Sequence, residues 1–349
     1  MDQTLAPTTI TQFKVGELPE NDRYSVWKES ISVIFDVEWE EEGNGAFNAE
    51  VTSAHLGNLL VAQTTSLSQR FSRPIGRIHQ DGMDHCLVQI YLEGETHGLW
   101  GTRAHSAART GDVLFLDAAQ IVESKVSDFS NLTLMIPRAL LVPYLGSPER
   151  FHGSILTRES ATGCLLGEHL RMLWTLLPDL PAEQAPAVGS GLVDLIGLYF
   201  RANQHAFSLD NAPDAGLALR EVIRGYIEGV LEQRDVGPER LAARYGVSRS
   251  TLYSLFKPLG GVSRYIWNRR LHRAHAEILA AGGGHRNITA IALRFGFNDA
   301  SHFSRAFRER FGYRPSEVHE ACRSPSCKSS GEGFSSVDRS YEDWIKGLK

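Results

Sequence analysis

The chain has 349 residues, 42% hydrophobic and 22% charged, long enough for two or three domains with separate cores and ordinary for a globular protein. It has no run of about 18 apolar residues, and residues 1–11 show no basic start leading into an apolar stretch, so neither a spanning helix nor a secretory leader is expected. The net charge of −5 argues against nucleic acid only as a total: residues 216–322 hold 17 Lys and Arg against 10 Asp and Glu, a net of +7, which leaves −12 on the rest. An acidic sensing half joined to a phosphate-binding half would show this asymmetry, and so would a solvated basic face.

In chain order, residues 22–34 carry Tyr24, Trp27, Ile31 and Ile34 at helical spacing. The rest of the first 155 residues reads as strands. Runs such as Leu87-Val88-Gln89-Ile90-Tyr91-Leu92 and Val113-Leu114-Phe115-Leu116 alternate with turn formers at Asp81-Gly82, Glu93-Gly94 and Gly111-Asp112. Many short strands with close turns point to a barrel or a sandwich. Residues 164–177 and 188–200 read as two helices separated by Pro178, Pro181 and Pro186. Their apolar content exceeds one stripe, so residues 156–205 are expected to pack on the strand region or to pair with a second subunit as a dimerisation segment. Residues 206–216 read as a polar linker, 217–322 as a second, net-basic domain, and 323–349 as a disordered tail. The four cysteines, Cys86, Cys164, Cys322 and Cys327, form neither a disulfide framework nor a zinc-ligand pattern, which favours reduced thiols in a cytoplasmic protein.

The most informative stretch begins at Pro238. Pro at a first helical position, Leu241, Ala242 and Tyr245 on one face, Gly246 as a turn and Ser248 as an N-cap make a helix-turn-helix, with Leu252, Leu255 and Phe256 inward. The pattern recurs 50 residues later: Ile291-Ala292-Leu293-Arg294-Phe295-Gly296-Phe297 matches Leu241-Ala242-Ala243-Arg244-Tyr245-Gly246-Val247, and Asp299 caps a helix with Phe303, Ala306 and Phe307 inward. The units are placed at 238–257 and 288–311. Between them, residues 263–281 read as one helix capped by Ser263, with Arg264, Arg269, Arg270 and Arg273 toward solvent. About 19 residues span roughly 28 Å, suited to holding two recognition helices near one DNA turn, about 34 Å, apart.

At this point the chain resembles the AraC/XylS family of transcription regulators. The resemblance is carried by Ile288, Ile291-Ala292, Gly296-Phe297, Asp299, Ser301, Phe303-Ser304-Arg305-Ala306-Phe307-Arg308, Phe311-Gly312 and Pro315-Ser316-Glu317, with Tyr265-Ile266, Arg270-Leu271 and Ala274 in the connecting helix. The first unit departs from the pattern at Lys257-Pro258-Leu259-Gly260, where a proline follows the recognition helix. Residues 20–200 resemble the family's effector-binding domain through Gln69-Arg70, Asp84-His85, Leu87-Val88-Gln89, Gly111-Asp112-Val113 and Ile136-Pro137-Arg138. The resemblance implies an α+β multidomain chain. Its N-terminal part would be a cupin-like β-barrel with flanking, often dimerising helices, and its C-terminal part an all-α domain of two helix-turn-helix units joined by a long helix. It also implies an activator that works by contacting RNA polymerase.

Outward positions near the start of each recognition helix are the candidates for reading bases: Arg249, Ser250, Tyr253 and Ser254 in the first, Ala300, Ser301, Ser304 and Arg305 in the second. Arg305 leads, because a guanidinium donates twice to guanine O6 and N7; a phosphate contact or an Arg305–Glu309 pair competes. Arg308, Arg310, Arg314 and Lys257 are candidates for phosphate. In the strand region, His85, Gln89, Tyr91 and Trp100 are candidates for a small-molecule pocket, and Arg70, Arg73 and Arg77 would suit an anion if they faced inward. There is no His-x-His pattern and no nucleophile elbow, so neither metal, cofactor nor catalysis is expected. The expected partners are double-stranded DNA, a small-molecule effector and a second copy of the chain, with no membrane. The alternatives are a DNA-binding protein, effector-independent or repressing, whose barrel only dimerises, and a cupin-type enzyme.

Overall fold

Successive side chains of a strand point to opposite faces, and in the N-terminal region most of the central strands are buried on both. A computed structural model describes residues 8–39, 46–81, 83–100, 103–207, 215–280, 288–297, 299–311, 313–317 and 338–347. The chain falls into two units: one takes residues 1–74, 84–209 and 336–345, the other 75–83, 210–335 and 346–349. Two segments thus cross the simple division expected from sequence, residues 75–83 joining the helical unit and residues 336–345 the strand unit.

The first unit holds twelve strands among its described residues: β1 (Ile10–Lys14), β2 (Asp36–Trp39), β3 (Ala49–Leu56), β4 (Leu59–Ser66), β5 (Gln69–Arg73), β6 (Cys86–Glu93), β7 (Thr96–Trp100), β8 (Arg103–Ala108), β9 (Val113–Asp117), β10 (Val122–Val126), β11 (Phe129–Ile136) and β12 (Ser154–Leu156). They form a seven-stranded sheet, β1-β3-β4-β11-β6-β9-β12, and a five-stranded sheet, β2-β5-β10-β7-β8. The expected barrel is therefore two antiparallel sheets and is not closed into one. Helix α1 (Glu20–Ile31) lies two residues upstream of its expected start. In the central β4-β11-β6 ladder, Gln89 pairs with Thr133 and Tyr91 with Asn131, while Thr133 pairs with Ala62 and Asn131 with Thr64. All of these face one side. Val61, Val88, Ile90, Leu132 and Leu134 face the other, in a core with Leu166, Leu170, Leu192, Ile196 and Phe200. Those last residues belong to the helices α4 (Ala161–Leu176) and α5 (Ala185–Ala202), which follow α2 (Ile75–Asp81) and α3 (Arg138–Leu145). Each such side chain contributes about 1.5–3 kcal/mol on burial. The second stripe of α4 stays in solvent: Leu165, Met172 and Leu176 are 57%, 65% and 55% exposed.

Several residues that carry the family resemblance act as internal ties. Buried Arg138 bridges Asp117 and Glu149, with Nη1 3.2 Å from Glu149 Oε2. Trp27 Nε1 donates to Gln69 Oε1 at 3.0 Å. Asp112 accepts from the backbone N–H groups of Arg109 and Arg158 at 2.9 and 2.8 Å, which makes Gly111-Asp112 a turn.

After α6 (Gln204–Phe207), the second unit consists of α7 (Ala215–Gly229), α8 (Pro238–Tyr245), α9 (Arg249–Phe256), α10 (Val262–Ala280), α11 (Ile288–Arg294) and α12 (Ala300–Phe311), with α2 assigned to the same unit. The connecting helix α10 begins at Val262, one residue before the expected cap. Two of its four arginines correct the expectation of a solvated basic face: Arg269 and Arg270 are only 8% and 7% exposed. Arg269 forms a two-pronged bond to Glu228, at 2.6 and 3.1 Å. Arg270 donates to the carbonyls of Leu231 and Gln233 at 3.0 and 2.7 Å, and its guanidinium packs against Gly296, where an added Cβ would come within 3.0 Å of Nη1. Burial lowers the Arg270 pKa, yet arginine keeps its charge. Arg264 and Arg273 remain exposed.

Arg270→Ala would take the donor from the Leu231 carbonyl and leave Gln233 with only the Val236 N–H at 3.3 Å. An orphaned carbonyl costs about 1–3 kcal/mol, so the melting temperature of the full chain should fall by several degrees, and Arg270→Lys should recover only part of the loss. Calorimetry checks this; an unchanged melting curve would remove Arg270 from the framework.

Candidate nucleic-acid interface and ligand cavity

Both turns take the left-handed backbone that glycine allows, with φ of 63° at Gly246 and 79° at Gly296. After the first, Ser248 Oγ accepts from the N–H of Thr251 at 3.0 Å and starts α9. After the second, Asp299 Oδ1 accepts from the N–H of His302 at 2.7 Å and starts α12. Of the expected inner faces, Leu252 and Phe256 are buried on α9 and Leu255 is half-buried, while on α12 Phe303 and Phe307 are buried, with Phe311 beside them, and Ala306 is half-buried. The proline at 258 ends α9 after eight residues and turns Lys257–Leu259 into a 3₁₀ turn, whereas α12 runs for twelve.

On α9, Arg249, Ser250, Tyr253 and Ser254 are all exposed. Arg249 pairs with Glu239 on α8 at 2.5 Å, an exposed pair that DNA phosphates could replace at little cost. On α12, Ser301 and Arg305 are exposed, and Ala300 and Ser304 half-exposed. Among the described residues neither Arg305 nor Arg308 is held in an ion pair, so the competing Arg305–Glu309 pair is not formed. Lys257, Arg308 and Arg314 are exposed. Arg310 departs from its expected phosphate role: its guanidinium bonds the Asp81 carbonyl and His272 Nε2, the latter at 2.7 Å, and is committed within the unit.

In the first unit, the face of β4, β6 and β11 turned away from α4 and α5 lines a cavity of about 90 Å³. Gln89 and Tyr91 line it; His85 and Trp100 do not. Trp100 is fully buried, its indole folded over Gly98 with Nε1 donating to Ser124 Oγ at 2.9 Å. His85 is buried at the entry to β6, where its carbonyl accepts from the N–H of Ala118. Arg73 is turned to the carbonyls of Ala118 and Ile34, and Arg70 is exposed. Sequence reading missed Asn131, Thr133, Thr64 and Ser124, the other polar lining residues. Strand parity would have found them, since each pairs with, or lies two positions from, a lining residue. Gln89 Nε2 donates to Thr133 Oγ1 at 3.0 Å. Burial pushes the Tyr91 phenol up to about 12, against hydrogen bonds to Thr96 and Asn131, so it stays protonated at neutral pH.

The tail brings a correction. Part of the expected disordered segment, Ser340–Gly347, is a helix, α13, and its Tyr341 and Ile345 line the cavity. An apolar face of Tyr341, Trp344 and Ile345 at helical spacing gives it something to bury; residues 318–337 lie outside the described residues. Among the described residues no helix is long and apolar enough to cross a membrane and no cluster of metal-ligating side chains occurs. Neither Cys86 nor Cys164 is in a disulfide; Cys322 and Cys327 fall outside the described residues.

Two capped recognition helices on one connecting helix define a double helix-turn-helix regulator. Residues 241–321 match a helix-turn-helix domain model, and residues 27–200 an AraC-binding-like domain model. The chain is 26% identical over 315 residues to the transcriptional activator NphR of a Rhodococcus species, covering 88% of this chain and 91% of that one. It is 29% identical over 162 residues to the XylDLEGF operon transcriptional activator of Pseudomonas putida, 46% of each chain. Its fold matches the crystal structure of the AraC-like transcriptional activator CuxR, with a TM-score of 0.57 at 24% identity over 77% of this chain and 96% of that one. The chain belongs to the AraC family of DNA-binding transcription regulators, and these relatives are regulators, not enzymes.

Removing either cap tests the local framework. Ser248→Ala and Asp299→Ala should each cost about 1 kcal/mol, seen as lower melting temperatures with helical content retained. No change in either variant would mean that tertiary packing alone fixes the recognition helices.

Proposed function

We propose that this protein is a sequence-specific, ligand-responsive transcription activator. In this reading its two recognition helices enter successive major grooves and its effector occupies the cavity of the strand unit. The observation that carries the DNA part is the exposed N-terminal face of α12, where Arg305 stands outward above a fully packed phenylalanine stripe. Arg305 reads a base, with Ala300, Ser301 and Ser304 permitting close approach. Arg249, Ser250, Tyr253 and Ser254 do the same for α9, over a shorter helix. Lys257, Arg308 and Arg314 hold phosphates. Activation is supported by the activators among its relatives, and contact with RNA polymerase is its expected route. Pairing with a second copy is supported by the exposed stripe of Leu165, Met172 and Leu176 on α4, a run of apolar side chains at helical spacing that water covers poorly.

Arg305→Ala should weaken the specific site by about 1–3 kcal/mol and relax preference at one base pair; an equal loss on every sequence would make Arg305 a phosphate contact instead. Arg308→Ala should reduce the salt slope of binding by about one unit, and an unchanged slope would take it off the DNA. For the dimer, Leu165→Asp with Met172→Asp should convert the chain to monomer by light scattering, whereas a wild-type chain that is already monomeric at micromolar concentration removes this surface as an interface.

A further inference from the structure

The cavity has two properties that bear on what it holds: among the described residues none of its lining side chains is charged, and one wall comes from the far end of the chain. Its polar groups are Thr64, Gln89, Tyr91, Ser124, Asn131 and Thr133, with the Tyr341 phenol on the opposing helix, and the rest of the lining is aliphatic or aromatic. At about 90 Å³ it has room for roughly 6–9 waters, the bulk of one substituted ring.

The wall helix α13 is clamped in place. Tyr341 is 3% exposed and Ile345 3%, one turn apart on the same face. Tyr341 Oη and Ser30 Oγ share a hydrogen bond of 2.5 Å, and Ser30 also donates to Glu342. Arg339 reaches both Glu342 and, at 3.4 Å, Glu29. Trp344 stands edge-on to His55 with ring centroids 4.6 Å apart, and Tyr341 packs on Phe13. Burial next to Glu342 pushes the Tyr341 phenol up from its ordinary value, so it faces the cavity as a neutral group.

We propose that the cavity binds an uncharged, ring-sized ligand, apolar over most of its surface with one hydrogen-bonding group directed to Gln89 and Asn131, and that the C-terminal helix is a wall of that site. The inference rests on the reading of the cavity as the effector site and adds the ligand's class and the helix's part in holding it. A carboxylate entering here would shed its hydration with no cation to replace it, whereas an amide or hydroxyl exchanges water for side-chain carboxamides.

Benzamide and benzoate share a shape and differ in charge, which makes them the probes for the full-length protein by calorimetric titration at neutral pH. Benzamide should bind at least about tenfold tighter than benzoate, and Ala62→Phe, which fills the cavity from β4, should abolish its binding. Benzoate bound as tightly as benzamide or more so, or no binding of benzamide at millimolar concentration, overturns the ligand class. If benzoate is then blocked by Ala62→Phe, the cavity still stands as the effector site; binding of either probe that Ala62→Phe leaves untouched places the site elsewhere and overturns both readings. For the wall, Tyr341→Ala and a chain ending at Ser336 should each lose about tenfold in benzamide affinity while circular dichroism and DNA affinity stay at wild-type values. Undiminished benzamide affinity in the two variants removes the helix from the site.

Discussion

The seven-stranded sheet of the N-terminal unit has two apolar faces, and each must be covered by something other than water. One face is met by α4 and α5, whose buried stripes interdigitate with Val88, Ile90, Leu132 and Leu134. The other is met by the five-stranded sheet, and there the covering is incomplete. Thr64, Gln89, Asn131 and Thr133 stand on that side where a closed core would place aliphatic residues. Polar groups in a core are tolerated only with partners, and here Gln89 bonds Thr133. The polar lining of the cavity follows from which parity of β4, β6 and β11 carries those residues.

A comparable constraint organises the helical unit. A double helix-turn-helix is useful only if its two halves hold a fixed relation, and two short apolar cores cannot supply this alone. Arg269 and Arg270 do so by being drawn inward from the connecting helix, one to the Glu228 carboxylate and the other to the carbonyls that follow α7 and to the glycine turn of the second unit. Buried guanidinium groups lose hydration, and here backbone and carboxylate oxygens replace it. The connecting helix is thus held to the end of α7 and to the glycine turn of the second helix-turn-helix by polar contacts.

How much of this was legible in the sequence differs between the halves. The helix-turn-helix units were readable because their signals are local: a cap, an inner face at helical spacing and a glycine that must adopt positive φ. Arg269 and Arg270 were misplaced as solvent-facing because a helical period gives a direction without saying whether a neighbouring helix covers it. Arg310 was read as a phosphate contact for the same reason, since its carbonyl acceptor at Asp81 lies 229 residues away. In the strand unit, Gln89 and Tyr91 were picked out by being polar or amphipathic within an apolar run. Asn131 and Thr133 share one face by strand parity, but only the β6–β11 register places that face beside Gln89 and Tyr91. The terminal helix was hidden by the Ser- and Gly-rich stretch before it, whose composition masked a short apolar face of three residues.

That helix also bears on how the site responds to a bound molecule. A ligand shifts a conformational equilibrium only by the difference in its affinity for the two states. A cavity enclosed entirely by strands offers little such difference, because a sheet with both faces buried has few alternative arrangements. A wall made by an eight-residue helix can offer it, since the helix is held by side-chain contacts to Ser30, Glu29, Phe13 and His55 and not by a strand ladder. A ligand that touches Tyr341 and Ile345 stabilises the docked helix over the undocked one, and the two sheets hold the rest of the site still.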